Sequence, residues 1–184
     1  GHHRRQRQMC IRDRSTSISK TEIKINQQAF IDELLNDYKL MCLSREASLL
    51  GRKEVLTGKA KFGIFGDGKE LPQIVMAKFF RNGDIRSGYY RDQTFMLAIG
   101  KLTVKQFFAG LYAHTNIEKE PTSAGRQMGG HFSTKFINED GKWLDLANQK
   151  NSTSDISPTA AQMPRLVGLG LASKMYRNNK ELSH

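Results

Sequence analysis

The stretch 84–100, DIRSGYYRDQTFMLAIG, constrains the fold most, because a short extended run passes there directly into an apolar helical turn. Tyr90 and Arg91 lie at the junction. A guanidinium with five N–H donors beside a phenol hydroxyl suits a bidentate grip on a phosphate or a carboxylate. The alternative is an ordinary surface pair of Arg91 and Asp92 that opens a helix at Gln93.

Apolar residues at helical spacing predict that the chain is mostly helical. The predicted helices cover residues 27–44, 45–56, 70–80, 93–99, 104–114 and 159–177. Strand candidates are few and short, namely the run before Tyr90 and residues 143–147. Thr103 is the predicted cap of the helix that follows it.

The first two predicted helices each have an apolar face. In the first, that face consists of Phe30, Ile31, Leu34, Leu35, Tyr38 and Cys42. In the second, the residues expected to point inward are Ala47, Leu50 and Val55. Gly58 is a plausible stop for the second helix, because glycine readily ends helices.

Residues 116–153 form the longest region without strong periodicity, and they contain the glycine-bracketed segment GRQMGGHFST. Loops of this length in a compact chain are usually functional or disordered. His131 lies in that segment, close to Arg126 and Met128. A loop histidine can be a proton shuttle or an anion donor. It can equally be only solvated or hydrogen-bonded, and both interpretations stay open.

The net charge of +11 invites a nucleic-acid interpretation, but its distribution weakens this. Residues 1–14 hold five arginines and one aspartate, have no apolar periodicity, and resemble translated adapter sequence. We therefore interpret 1–14 as a non-native leader, with a basic arm as the alternative, and 15–26 as a polar arm. Beyond the leader, Cys42 can form no intrachain disulfide. No apolar run is long enough for a membrane span, so we expect a cytoplasmic protein without a membrane partner.

Residues 66–68 read Gly-Asp-Gly, which raises the question of a metal site. A GDG followed at a fixed distance by Asn-Asn is the magnesium-diphosphate signature of thiamine-dependent enzymes, since aspartate and asparagine oxygens suit Mg²⁺. At that distance this sequence has Gln93–Phe95 and no asparagine. We therefore predict a turn before a helix here, and no metal-binding residue.

Four blocks, taken in order, resemble one protein family. They are GDGKE, DIRSGYYRDQTFMLAIG, GRQMGGHFST and ISPTAAQMPRLVGLGLASKM, within residues 45–177. The series is similar to the α subunit, or α half, of thiamine-diphosphate-dependent 2-oxoacid dehydrogenases of the pyruvate, branched-chain and acetoin types. Each block alone is a weak signal, whereas the ordered series is specific.

The resemblance implies roles for particular residues. Tyr90 and Arg91 match the pair that holds the cofactor diphosphate. Ser157 and Thr159 match a Ser-Pro-Leu turn that contacts the cofactor near its aminopyrimidine ring, with threonine in place of the leucine.

The glycine-bracketed loop also has a counterpart in the family. Arg126 and His131 match the loop at the active-site entrance. Of all the residues in the chain, His131 is therefore the candidate for a catalytic role near the substrate.

The resemblance also implies an architecture and partners. Residues 27–184 would be the N-terminal part of an α/β thiamine-diphosphate-binding fold, incomplete because the magnesium motif is expected beyond residue 184. The cofactors would be thiamine diphosphate and Mg²⁺. The partners would be a β subunit or half, a lipoyl acyltransferase component and a 2-oxoacid, in a homo- or hetero-oligomer. This segment alone is expected to be inactive.

Two other interpretations remain open. The chain could be an inactive α-type paralogue that keeps the fold and pairs with a β subunit. It could also be a basic nucleic-acid-binding domain, although it lacks the interleaved aromatic and basic residues that bind single strands. That second interpretation requires an affinity that falls steeply with salt and survives deletion of residues 1–14. Because those interleaved aromatic and basic residues are missing, we expect no nucleic-acid partner.

Overall fold

The structure is a computed structural model that describes residues 26–179. The predicted leader, the predicted arm except its last residue, and the chain after residue 179 lie outside the described residues. The elements in order are α1 (Gln27–Leu56), α2 (Glu70–Phe79), β1 (Ile85–Arg86), α3 (Gln93–Ala98), α4 (Val104–Leu111), β2 (Asn151–Ser152) and α5 (Gln162–Asn178). The prediction of a mostly helical segment with a few short strands is confirmed. No helix in this part of the chain is long and apolar enough to cross a membrane.

The structure has one helix, α1, where the sequence predicted two. It begins after Asn26, whose side-chain oxygen accepts hydrogen bonds from the backbone N–H groups of Gln28 and Ala29. The predicted break at residues 44–45 does not occur, because no proline or glycine interrupts the backbone hydrogen bonds there. The helix ends at Leu56, and Gly58 follows with a φ of 76°, as expected of a stop.

The buried face of α1 consists of small residues; it includes Ala47, as predicted, but not Leu50. Its buried members are Ser44, Ala47, Ser48 and Gly51. Small side chains allow close approach, and the hydroxyl oxygens of Ser44 and Thr94 lie 2.6 Å apart across the contact with α3. Leu50 was expected to point inward and is 48% exposed, so that prediction is wrong. The predicted apolar face of residues 27–44 is exposed, because the buried residues of α1 begin at Ser44 and its first half contacts α2 through ion pairs of Glu33 and Asp37 with Lys78.

Helix α3 lies at the centre of the core and packs against α1 and α2. The buried apolar cluster consists of Ala47, Ala77, Phe95, Met96, Ile99, Leu102, Phe107 and Phe132. The rings of Phe80 and Phe95 meet edge to face at 5.2 Å, a favoured aromatic geometry. Helix α4 begins at Val104, after Thr103, which forms the predicted cap together with Gln106.

Two buried glutamines connect the helices through hydrogen bonds. The amide of Gln93 donates to the carbonyl of Ser44 at 3.1 Å and to the hydroxyl of Ser48 at 2.7 Å. Its oxygen accepts the backbone N–H of Gly66 at 3.2 Å. Gln73 accepts the N–H of Phe95 at 2.9 Å. These bonds fix the start of α3 against α1, α2 and the Gly-Asp-Gly turn.

Strands β1 and β2 pair in parallel, with Ile85 opposite Asn151 and Arg86 opposite Ser152. The strand predicted over residues 143–147 is not present, and only an isolated bridge joins Trp143 to Ile137. The reason is local, because the side chain of Asp145 accepts the backbone N–H groups that follow it and bends the chain into a turn.

Two other predicted helices are shorter in the structure. The helix predicted to reach residue 114 ends at Leu111, and the one predicted to start at residue 159 starts at Gln162. Ala113 and Ala160 have φ values of 52° and 68°, in the left-handed region. A right-handed helix cannot continue through such a residue, which explains both boundaries.

Replacing Gln93 with leucine should lower the free energy of unfolding by about 2–4 kcal/mol, since the buried N–H of Gly66 and the hydroxyl of Ser48 would lose their partner. Urea denaturation followed by circular dichroism measures this. The matched control is Gln127→Leu at an exposed position, which should change stability by less than about 0.5 kcal/mol. Equal stability of the two variants would show that the Gln93 network is not structural.

Candidate functional site

The loop between β1 and α3 is held by the buried side chain of Arg86. Its guanidinium contacts both carboxylate oxygens of Asp155 at 2.9 Å and one oxygen of Asp92 at 3.2 Å. That Asp92 oxygen also accepts the backbone N–H of Tyr89 at 2.9 Å. Gly88 lies under the guanidinium, where any side chain would overlap it. The ion pairs therefore bend residues 87–92 into a compact loop.

The main chain of Arg91 is fixed from the opposite side. Its carbonyl accepts a hydrogen bond from the amide of Gln73 at 3.1 Å. Gly66 packs directly against the same carbonyl, and a Cβ there would clash with it. The Gly-Asp-Gly turn before α2 thus lies against the Tyr-Arg pair, which explains why glycine is needed at position 66.

The side chains of Tyr89 and Tyr90 lie side by side rather than on opposite sides of the chain. Their ring centroids are 4.0 Å apart, and their hydroxyl oxygens are 2.7 Å apart in a hydrogen bond. This bond lowers the pKa of Tyr89 and raises that of Tyr90. Thr159, from a distant segment, lies near both phenols; its hydroxyl adds to the lowering of the Tyr89 pKa and partly offsets the rise in the Tyr90 pKa.

Among residues 26–179, no carboxylate forms an ion pair with the side chain of Arg91. Its guanidinium carbon lies 5.8 Å from the centre of the Tyr90 ring. Its Nε is buried and makes no hydrogen bond within residues 26–179, as is also true of Ser87 Oγ and Gln162 Oε1. A buried donor without a partner is costly, which indicates that a ligand or another chain segment completes the site.

The loop that carries His131 packs against the main chain of the Tyr-Arg pair. Gly130 packs against the carbonyl of Tyr90. Nδ1 of His131 lies 2.8 Å from the carbonyl of Met128, and Nε2 lies 2.7 Å from Oγ of Ser157. A carbonyl only accepts, so Nδ1 carries the proton, and Nε2 of the neutral ring accepts the hydroxyl proton of Ser157. This hydrogen bond joins the glycine-bracketed loop around His131 to the turn at Ser157.

The predicted site residues fall into two groups. Tyr90 lies next to Arg91 on one side and near Thr159 on the other, and His131 is hydrogen-bonded to Ser157. Arg126 is exposed, and its side chain forms no hydrogen bond or ion pair in the described part of the chain.

Three contributors to the site were not identified from the sequence, namely Arg86, Tyr89 and Asp155. Arg86 and Asp155 are far apart in the chain, so no local pattern connects them. The sequence did offer one signal for Tyr89, namely that this tyrosine directly precedes the Tyr-Arg pair.

The Gly-Asp-Gly segment forms the predicted turn before α2, with Gly68 at a φ of 90°. The carboxylate of Asp67 contacts the guanidinium of Arg52 at 2.6 Å. Within residues 26–179, no group of three or more His, Cys, Asp or Glu side chains is arranged to hold a metal ion.

Burial raises the pKa of Asp155 to about 6, although Arg86 opposes this shift. Because the pKa is higher in the folded chain, the contribution of Asp155 to stability is greatest below about pH 4 and is lost as the pH rises through 6. We expect a carboxyl ¹³C signal with a midpoint near pH 6 that is absent in Asp155→Asn. Arg86→Met should raise that midpoint, since it removes the charge that favours the carboxylate. A midpoint that does not move would contradict the ion pair.

The chain is 31% identical over 152 residues to a protein named 2-oxoisovalerate dehydrogenase subunit alpha, from Bacillus subtilis (strain 168). The aligned region is 80% of this chain and 40% of the relative, so the chain spans less than half of that protein's length. No family model matches the chain. The similarity confirms what the four ordered blocks indicated: this chain is related in sequence to the α subunits of the 2-oxoacid dehydrogenases.

Proposed function

We propose that this chain is the N-terminal part of the α subunit of a thiamine-diphosphate-dependent 2-oxoacid decarboxylating dehydrogenase. The relationship to a 2-oxoisovalerate dehydrogenase α subunit supports the enzyme class. The parallel strand pair with surrounding helices fits a segment of an α/β thiamine-diphosphate-binding fold. Because the chain spans 40% of the relative, the complete activity requires residues outside the structure.

The observation that carries the proposal is the unpartnered Arg91 side chain. It is a permanent cation with a buried Nε donor, and no carboxylate pairs with it within the described residues. Tyr90 lies beside it, and Thr159 acts on the hydroxyl of Tyr90; the family resemblance also assigned both residues to the cofactor. A planar guanidinium and adjacent hydroxyls are the donors that phosphate oxygens require. The residues present therefore fit a diphosphate group.

Thiamine diphosphate, when bound, would supply the nucleophile and the electron sink that decarboxylation of a 2-oxoacid requires. In our proposal, Arg91 and Tyr90 hold its diphosphate, and Ser157 and Thr159 contact it on the ring side. The described residues supply no evident Mg²⁺ site, so the metal ligands would come from the rest of the protein.

We assign His131 to the active-site entrance, with Arg126 on the same loop. Since Nδ1 donates to the carbonyl of Met128, the Nε2 lone pair is the only basic position of the neutral ring. That atom accepts a hydrogen bond from the Ser157 hydroxyl, and it could take a substrate proton in its place. The side chain is positioned for proton transfer without moving the ring.

The exposed apolar residues fit assembly into a larger enzyme. On α1 they include Phe30, Leu34, Leu35 and Leu50, and on α5 Val167, Leu171 and Met175. Apolar faces of this extent usually mark interaction surfaces. We propose that they contact a β subunit or half and the rest of the α chain.

In the same proposal, the complete enzyme transfers the acyl group to a lipoyl acyltransferase partner, and the complex is cytoplasmic.

The test is calorimetric titration of thiamine diphosphate with Mg²⁺ into the complete enzyme. Arg91→Ala should weaken binding by about tenfold or more, the effect of losing a hydrogen bond to a charged group. Arg81→Ala, at an exposed arginine in the turn before β1, is the matched control and should bind normally. If Arg91→Ala retains full affinity, the proposed cofactor site is wrong.

A second variant in the same experiment separates the role of His131 from cofactor binding. His131→Asn should lower the turnover number by about a hundredfold, on the scale of a lost general acid or base, with cofactor affinity within a factor of about two. An unchanged turnover number would remove His131 from the mechanism.

A further inference from the structure

A buried carboxylate, that of Glu120, lies in the turn that precedes the His131 loop, and this residue is 5% exposed. It accepts four hydrogen bonds, from the backbone N–H of Thr122 at 3.0 Å, the backbone N–H and the hydroxyl of Ser123, both at 2.8 Å, and the backbone N–H of Gly125 at 3.0 Å. No cationic side chain pairs with it within residues 26–179. A buried charge is costly unless its hydrogen bonds are made, so the turn must close around this carboxylate.

The charge of Glu120 is what these bonds require. Burial alone would raise the pKa of Glu120, but the hydrogen bonds from Gly125, Ser123 and Thr122 outweigh it and hold the pKa below its usual value. The side chain is therefore a carboxylate at neutral pH, with two oxygens that only accept. An amide in its place has a single acceptor oxygen, so at least one of the N–H groups would lose its acceptor.

The hydroxyl of Ser123 connects this turn to the His131 loop. It donates its proton to Glu120, and its oxygen accepts the backbone N–H of Gln127 at 3.2 Å. The next residue is Met128, whose carbonyl oxygen lies 2.8 Å from Nδ1 of His131. The buried carboxylate and the imidazole are thus connected through one hydroxyl and a short stretch of backbone.

The backbone at Met128 is held from two sides. Its own side chain and that of Gln127 are exposed, so neither anchors it. On the C-terminal side, Gly129 packs against the backbone of Gly110. On the N-terminal side, the bond between Gln127 and Ser123 is the anchor, because a cavity of about 40 Å³ lies between the turn and the loop and is lined by both. Without that bond, the Met128 carbonyl would be free to turn away from the imidazole.

We propose that Glu120 is a positioning residue for His131, because through Ser123 it fixes the Met128 carbonyl that keeps the imidazole proton on Nδ1. This inference rests on the proposed function, in which Nε2 of His131 takes a substrate proton. A neutral imidazole that loses its Nδ1 acceptor can carry its proton on Nε2 instead. In that tautomer Nε2 has no lone pair and cannot act as a base.

The first measurement is the tautomer of His131, from ¹⁵N-histidine spectra of the full 184-residue chain at about pH 8.5, well above the ordinary pKa of histidine. The signal that disappears in His131→Asn assigns the residue. We expect a proton on Nδ1 in the original chain and in Ser123→Thr, which keeps the hydroxyl. Ser123→Ala and Glu120→Gln should give a mixture of the two tautomers. The matched control is Glu118→Gln, at an exposed carboxylate, which should leave the tautomer unchanged.

The second measurement is steady-state kinetics of the complete enzyme. Ser123→Ala and Glu120→Gln should lower the turnover number about tenfold or more, with the KM for the 2-oxoacid and the affinity for thiamine diphosphate within a factor of about two. In a His131→Asn background, the same two substitutions should lower the turnover number no further, whereas a loss of general structure would still add to it. Thermal unfolding checks each fold, and Ser123→Ala, which keeps the buried carboxylate, remains decisive if Glu120→Gln does not fold.

The outcomes separate this inference from the proposed function. If His131→Asn lowers the turnover number and Ser123→Ala does not, Glu120 does not position His131 and the proposed function stands. The same conclusion follows if the ¹⁵N signals of His131 are identical in all variants. If His131→Asn itself leaves the turnover number unchanged, the proposed role of His131 is wrong, and the role of Glu120 is wrong with it.

Discussion

The buried guanidinium of Arg86 is the interaction on which the arrangement of the site depends. A buried charge is costly unless it is paired and its donors are satisfied. Asp92 on one segment and Ser152 and Asp155 on another supply those partners. Since Arg86 is 8% exposed, both segments must be in register with β1 for the charge to remain buried. The same contacts fix Tyr89, whose backbone N–H donates to Asp92, and the chain that leads from Asp155 into Ser157.

Features with local signals were predictable from the sequence. The helical cap at Thr103, the stop at Gly58 and the position of Tyr90 and Arg91 at the junction of strand and helix all follow from neighbouring residues. The ordered motifs also indicated a resemblance to 2-oxoacid dehydrogenase α subunits, and the chain is similar in sequence to one such subunit. The roles of individual residues toward a cofactor remain proposals.

The missed features depend on contacts between distant residues. Arg86 and Asp155 are 69 positions apart, and Gln93 bonds to Ser44 across 49 positions. Neither pair produces a periodic pattern. The buried face of α1 was misjudged for a related reason, because close packing on α3 selects small residues, whereas periodicity analysis favours large apolar ones such as Leu50.

The most direct test of the account is a crystal structure of the complete enzyme with thiamine diphosphate and Mg²⁺. The account predicts a diphosphate oxygen within hydrogen-bond distance of Arg91 Nε, the buried donor that lacks a partner in residues 26–179. It also predicts that Tyr90 and Thr159 border the same ligand. A diphosphate bound elsewhere, with Arg91 Nε satisfied by a protein carboxylate, would contradict it.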